Sequence, residues 1–296
     1  MNTYPKTKRK VEIVVISDVH LGTYGCRAKE LVAYMKSIQP ETVILNGDII
    51  DVWQFDKKYF PKSHMQVIHQ ITKWLKKGVT VYYLTGNHDE MLRRFAGFRL
   101  SNFMIENKLV LNLPEGKTWI FHGDVFDITM QHARWLARLG SVGYNWLIHL
   151  NTFCNFISEQ TGRGRISLSK KIKNNVKQAV SYINSFENTC AALAAKNHYR
   201  YVVCGHIHHP EIKTIATDKG PVIYLNSGDW IENLSALEYH EGIWKIYRHT
   251  EQPPAGDEVQ EQEEDKFILL KNEEIFRHML SDFRELTPFV KQSKNN

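Results

Sequence analysis

Val11-Glu12-Ile13-Val14-Val15-Ile16-Ser17-Asp18-Val19-His20 decides how this chain is read. Its first six residues are mostly β-branched and apolar, the composition of a strand covered on both faces. The run stops at Ser17, and an Asp and a His follow at once. Four more stretches repeat the arrangement. Thr42-Val43-Ile44-Leu45 leads into Gly47-Asp48, and Val79-Thr80-Val81-Tyr82-Tyr83-Leu84 into Gly86-Asn87-His88-Asp89. Thr118-Trp119-Ile120-Phe121 leads into His122-Gly123-Asp124, and Tyr201-Val202-Val203-Cys204 into Gly205-His206-Ile207-His208.

Helical patterns separate the first three runs. Leu31, Met35 and Ile38 recur at helical spacing, as do Ile68, Ile71 and Leu75. Strand–helix–strand alternation predicts an α/β sheet with helices on its faces. Val222-Ile223-Tyr224-Leu225 adds a strand, and the stretch from Ser235 to Tyr247 has room for two more. Ligands of open α/β sheets collect at the carboxyl ends of the strands. Each of the five motifs begins within a residue or two of such an end, so all five are expected on one rim.

The residue types on that rim suit two divalent metal ions. Ions about 3.5–4 Å apart need a bridging carboxylate and several further ligands. Asp48 is the natural bridge, since a carboxylate can offer one oxygen to each ion. Asp18, His20 and His208 complete one site; Asn87, His122 and His206 complete the other. Mixed oxygen and imidazole donors suit Mn²⁺ above all, with Fe²⁺ or Zn²⁺ as alternatives, over Ca²⁺ or Mg²⁺. DxH, GD or GNHD alone occurs often in surface turns, and Gly205-His206-Ile207-His208 alone reads evenly as a metal pair or not; their conjunction points to a metal centre. Asp51, Asp124 and Asp229 read equally well as groups that orient ligand histidines and as turn residues. His64, His69, His132, His149, His198 and His209 read as packing or surface residues.

Between Asp124 and Tyr201 the pattern changes to a helical region rich in aromatics, from Phe126, Trp135, Tyr144 and Trp146 to Phe153 and Phe156. Gly162-Arg163-Gly164-Arg165 marks a loop. Ser167 or Ser169 then caps a helix carrying Ile172, Val176, Val180 and Ile183. The expected organisation is a core over 1–124 and 201–250, a helical cap insertion over 125–200, and an acidic linker with a C-terminal helical tail over 251–296.

With 296 residues and 43% hydrophobic content the chain can build a sizeable core. The nearest candidate for a spanning helix, Trp135 to Ile157, is broken by Arg138, Asn145, His149 and Asn151, which argues against one. Lys6, Lys8, Arg9 and Lys10 precede the first strand without an apolar segment, so no secretory leader is expected. Four cysteines without a CxxC pair read as reduced thiols of a cytoplasmic protein. The net charge of +6, despite an acidic stretch from Asp257 to Asp265, favours an anionic partner. Solubility explains the charge equally well.

The motif set resembles the calcineurin-like metallophosphoesterase superfamily, whose pattern is DxH, GDxxD, GNH[DE], H and GHxH. All five elements occur in order from Asp18 to His208, with Asp51 completing GDxxD. The resemblance implies an α/β fold arranged as a four-layer α/β/β/α sandwich. It makes His88 the non-ligand histidine over the phosphate, with Asp89 orienting it. Val52-Trp53 follows Asp51 where Ser/Thr protein phosphatases carry Arg-Gly, which disfavours that branch.

Within the superfamily the chain is most similar to the UDP-2,3-diacylglucosamine diphosphatases of lipid A biosynthesis. The carrying stretches are Ser17 to Gly22, Asn46 to Trp53, Gly205 to Pro210 and Asn226-Ser227-Gly228-Asp229-Trp230. One departure is His88, where the main branch of that family has arginine. The resemblance implies a lipid-linked sugar nucleotide as substrate, UMP and 2,3-diacylglucosamine 1-phosphate as products, and peripheral attachment to the inner face of the membrane. An aromatic groove from Phe126 to Phe156 would shelter acyl chains. Arg93, Arg94, Arg163, Arg165, Lys173 and Lys177 are candidates for phosphate or anionic-lipid contacts. Competing readings are a phosphodiesterase or nuclease and a non-catalytic scaffold. No stacking-plus-basic module favours nucleic acid, and the intact ligand set disfavours the scaffold.

Overall fold

The computed structural model describes residues 8–54, 59–126 and 168–249, with the side chains of 168–178 left out. Two sheets form the centre. The first runs in the order β12 (Ile243–Arg248), β11 (Ser235–His240), β1 (Arg9–Ile16), β2 (Ile38–Asn46), β3 (Thr80–Leu84), β5 (Phe103–Glu106) and β4 (Arg99–Leu100). The second runs β6 (Leu109–Leu113), β7 (Gly116–Ile120), β8 (Tyr201–Cys204), β10 (Val222–Asn226) and β9 (Glu211–Ile215). The helices are α1 (Ala28–Ser37), α2 (Lys62–Lys76) and α3 (Leu168–Lys196). Strands β1, β2, β3 and β5 are parallel neighbours, and so are β7, β8 and β10. Parallel strands bring their carboxyl ends to a common rim, and this places the five motifs together.

The apolar run of β1 serves two cores at once, because successive side chains point to opposite faces. Val14 and Ile16 pack with Leu31 and Met35 of α1 and with Val67 and Trp74 of α2. Ile13 and Val15 pack with Ile44 and Leu84 and, across the interior, with Ile120, Val203 and Leu225 of the second sheet. A third core lies on the outer face of that sheet, where Phe186, Cys190, Ala191 and Ala194 of α3 meet Val202, Cys204 and Tyr224. Three cores between helices, sheet, sheet and helix make the four-layer α/β/β/α arrangement. Each fully buried Leu, Ile or Phe in these layers contributes about 1.5–3 kcal/mol.

Several details differ from the sequence reading. Ile38 opens β2 instead of closing α1. The buried face of α2 carries His64, Val67, Gln70 and Trp74, whereas Ile68, Ile71 and Leu75 are partly covered. The short strands β4, β5 and β6 were not expected, although Phe103-Met104-Ile105 and Leu109-Val110-Leu111 are apolar; β6 alternates half-buried and exposed positions. The end of α3 lies within the 125–200 stretch, yet it packs on the second sheet as the fourth layer. The three described cysteines, Cys26, Cys190 and Cys204, are free thiols. The expected cap aromatics from Trp135 to Phe156 and the tail over 251–296 lie outside the described residues.

Candidate active site

The loops leaving β1, β2, β3, β7 and β8 converge on one rim, tied together by their backbones. Asp18 N donates to Gly47 O at 3.1 Å and His20 N to Asp48 O at 2.9 Å. Leu21 and Ile50 continue the pairing as an isolated parallel bridge. Asp18, His20, Asp48, His206 and His208 all adopt positive φ, between 51° and 66°. This left-handed region is uncommon for residues with a Cβ and clusters at functional sites. In Asp18-Val19-His20 it lets both flanking side chains turn toward the site while Val19 stays in the core. Gly47 takes φ +79°, and a Cβ there would collide with the His122 ring. Gly86 is packed as closely against Asp48, whose backbone N would lie 2.7 Å from an added Cβ.

Three overlapping groups of donors result. Asp18, His20 and His208 form one; Asp48, His122 and His206 form another; His20, Asp48 and His88 lie between them. His208 Nε2 is 3.2 Å from Asp18 Oδ1, and His122 Nε2 is 3.2 Å from Asp48 Oδ2. The other ring nitrogens are anchored. His122 Nδ1 lies 2.8 Å from Asn46 O, and His20 Nδ1 lies 3.1 Å from Asp51 Oδ2. Donation through Nδ1 fixes the tautomer that leaves Nε2 as an acceptor facing the site.

Burial makes this arrangement costly without a cation. Asp18, Asp48 and His122 are at most 2% exposed and His20 6%. Burial alone would raise Asp18 and Asp48, but adjacent imidazoles hold both carboxyls below the usual range. Burial would lower His122, yet Asp48 and Asp18 raise it well above an ordinary imidazole. His20 Nε2, Asn87 Oδ1 and His122 Nε2 are buried without a hydrogen-bond partner. Clustered buried carboxylates and imidazoles, together with buried polar atoms that lack a hydrogen-bond partner, are donor types that suit a divalent ion. Metal ligation fits these residues.

His88 stands beside the cluster with its side chain 26% exposed, open to a substrate. Its Nδ1 is 2.8 Å from Asp51 Oδ2, an ion-pair contact without hydrogen-bond alignment. Burial acts to lower this imidazole, but Asp51 and Asp48 raise it on balance. The expected partner, Asp89, is engaged elsewhere. Its carboxylate accepts from Ile49 N at 3.0 Å, Gly86 N at 2.6 Å and the Tyr83 hydroxyl at 2.6 Å. Asp89 thus ties the Gly86–Asp89 turn to Ile49 and Tyr83, and Asp51 is the carboxylate beside His88 Nδ1.

The basic candidates separate similarly. Arg93 donates to Gly86 O at 3.3 Å and pairs with Asp124, clasping the third motif to the fourth. Arg94 is exposed, with its guanidinium 4.9 Å from the Phe95 ring centre. Arg163, Arg165 and the side chains of Lys173 and Lys177 lie outside the described residues. Asp229 is a turn residue: its Oδ1 accepts from Ile231 N, Glu232 N and Asn233 N. Asn233 Nδ2 then donates to His208 O at 2.8 Å, steadying the last ligand from below. His64 is buried, and its Nδ1 accepts from Gly22 N at 3.0 Å, just past His20. Asn46 was missed as an anchor, because it acts through a backbone carbonyl that no side-chain motif marks.

Comparison with known proteins agrees with this geometry. The family model described as calcineurin-like phosphoesterase matches residues 11–210. A UDP-2,3-diacylglucosamine hydrolase of Aliivibrio fischeri (strain MJ11) is 23% identical over 243 residues, covering 80% of this chain and 98% of the relative. Proteins of the same name from Shewanella baltica are 29% identical (strain OS185) and 30% identical (strain OS223), each covering 69% of this chain and 82% of the relative. The match extends over more than half of the chain and contains all seven metal-ligand candidates: the protein belongs to the calcineurin-like phosphoesterase family and is a metal-dependent phosphoester hydrolase.

Proposed function

We propose that the protein cleaves the diphosphate of UDP-2,3-diacylglucosamine, giving UMP and 2,3-diacylglucosamine 1-phosphate. Two divalent ions serve the site, Mn²⁺ in preference to Fe²⁺ or Zn²⁺, matching its mixed carboxylate, amide and imidazole donors. The observation that carries the substrate is similarity to UDP-2,3-diacylglucosamine hydrolases over 82–98% of their lengths. The reaction class rests on the donor cluster itself.

When bound, the ions neutralise phosphate oxygens and lower the pKa of the attacking water. Asp18, His20, Asp48, Asn87, His122, His206 and His208 would hold the ions, with Asp18, His20 and His208 on one side, Asn87, His122 and His206 on the other, and Asp48 shared between them. His88, its pKa raised by Asp51 and Asp48 against the pull of burial, donates to a phosphate or leaving-group oxygen as negative charge develops. Its partial exposure lets it meet substrate, while the buried ligands behind it stay ordered.

The reading extends to the membrane surface on the cytoplasmic side. Met91, Phe95 and Phe98 are exposed apolar side chains just after the third motif, with Arg94 and Arg99 among them. An apolar patch interleaved with cations supports contact with acyl chains and anionic headgroups. No helix among the described residues is long and apolar enough to cross a membrane.

The test is hydrolysis of UDP-2,3-diacylglucosamine by the Mn²⁺-loaded protein, with products identified by mass spectrometry. A chelator-treated control and bis(p-nitrophenyl) phosphate run alongside. UMP and the diacyl sugar phosphate are expected, lost on chelation. Cleavage of the generic diester alone would keep the phosphoesterase and discard this substrate.

A further inference from the structure

Trp53 stands on the loop after Gly47-Asp48, at the lip of the donor cluster, with its residue surface 65% exposed. Its backbone is firmly held. Trp53 N and Gln54 N donate to Asp51 Oδ1 at 3.1 and 2.8 Å, and Val52 N donates to His88 O at 3.1 Å. The other oxygen of the same carboxylate faces His88. The indole and the His88 imidazole are 6.3 Å apart between ring centres, tilted at 45°. Leaving an indole in water on so constrained a loop forfeits the burial that an aromatic of this size normally gains.

The aromatic lip continues on the neighbouring loop. Asp51 N donates to Leu21 O at 3.0 Å, and the Leu21–Ile50 bridge sets the two loops side by side. Tyr24 lies three residues beyond that bridge on one loop, and Trp53 lies three residues beyond it on the other. Tyr24 is 76% exposed and rests on Tyr59, with ring centres 3.8 Å apart.

We propose that Trp53 is the stacking platform for the pyrimidine base of the substrate nucleotide. This rests on the reading of the substrate as a uridine diphosphate sugar. A phosphate beside His88 would lead the attached nucleoside past the imidazole toward the indole, with the base over the indole face. The surroundings of Trp53 favour a base over an acyl chain. Among the described residues, the His88 imidazole and the Asp51 carboxylate lie beside it, and Val52 is the adjoining exposed apolar side chain. A flat base stacks on one face and keeps its polar edges in water, whereas an acyl chain needs several enclosing apolar side chains.

Calorimetric binding of UMP and of ribose 5-phosphate to the full chain loaded with Mn²⁺ tests the proposal. The two ligands share the phosphate and the sugar and differ in the base. The wild type should bind UMP about tenfold more tightly, within the range of one base–aromatic stack. Trp53→Ala should bring the two affinities within about twofold of each other, and Trp53→Phe should keep most of the preference. Equal binding by the wild type, or an unchanged preference in Trp53→Ala, would overturn the platform. Turnover of UDP-2,3-diacylglucosamine by the same preparation separates the two claims. Turnover without a base preference discards the platform and keeps the substrate. A Trp53-dependent preference without turnover keeps the platform and discards the lipid substrate.

Discussion

The Asp51 carboxylate holds two histidines at once through Oδ2, with His20 Nδ1 at 3.1 Å and His88 Nδ1 at 2.8 Å. His20 is a metal-ligand candidate and His88 is the non-ligand histidine facing substrate. One buried anion thus contacts both a ligand candidate and the site imidazole, whose pKa it helps to raise. Neighbouring His20 and His88 hold the Asp51 carboxyl below the usual range against the upward pull of burial.

Asp51→Asn keeps the shape and removes the charge. It should weaken metal binding about 10–100-fold, the usual effect of losing an anionic partner behind a ligand histidine. It should also lower the pKa of His88. Metal titration by calorimetry and the pH dependence of kcat measure both. Unchanged values in both would refute the shared role.

His88→Ala should retain its metal and lose turnover, about 10²–10⁴-fold in kcat for a lost proton donor. Elemental analysis and steady-state rates on one preparation decide it. Full activity would sink the assignment. Asp89→Asn should act through the Gly86–Asp89 turn and lower thermal stability, since its carboxylate accepts from Ile49 N, Gly86 N and Tyr83.

Gly86→Ala would set a methyl group 2.7 Å from Asp48 N and 2.9 Å from His122 Cδ2, with Asp48 Oδ1 also in its way. Relaxing such overlap typically costs about 1–3 kcal/mol. Both neighbours are ligand candidates, so metal affinity should fall along with Tm. A variant with wild-type affinity and Tm would show that the turn has room to give.

His208 gives a pH prediction. Burial acts to lower its pKa, but the facing Asp18 carboxylate raises it to about 9. In the metal-free protein this contribution to stability is complete below the unfolded value near 6.5 and fades as pH rises through about 9. Metal ligation needs the neutral ring, so metal affinity should rise over the same interval. The Tm of the apo protein should therefore fall from pH 6.5 to 9.5 while the shift produced by added Mn²⁺ grows. Parallel curves for apo and loaded protein would contradict the pairing.

Much of the centre was legible in the chain, for a local reason. An apolar run such as Val11 to Ile16 needs cover on both faces, and a sharp change to Asp18 and His20 marks where it leaves the core. Five such breaks in one chain define a rim, because parallel strands end on the same side. Strands β4 to β6 escaped notice because they are only two to five residues long and no Asp, His or Asn metal motif marks their ends.

Residue types and spacing determined the α/β class, the rim and the seven ligand candidates. They left open which neighbouring acid serves which histidine. Asp89 is adjacent to His88 in sequence, yet the tight turn at Gly86 directs its carboxylate to backbone N–H groups. Asp51, thirty-seven positions earlier, reaches the imidazole because the loops after β2 and β3 meet at the rim. Similarly, Arg93 pairs with Asp124, and Asn46 anchors His122 through a carbonyl. Hydrogen-bond and charge partners depend on direction and distance in three dimensions, and only the packing of the loops supplies those.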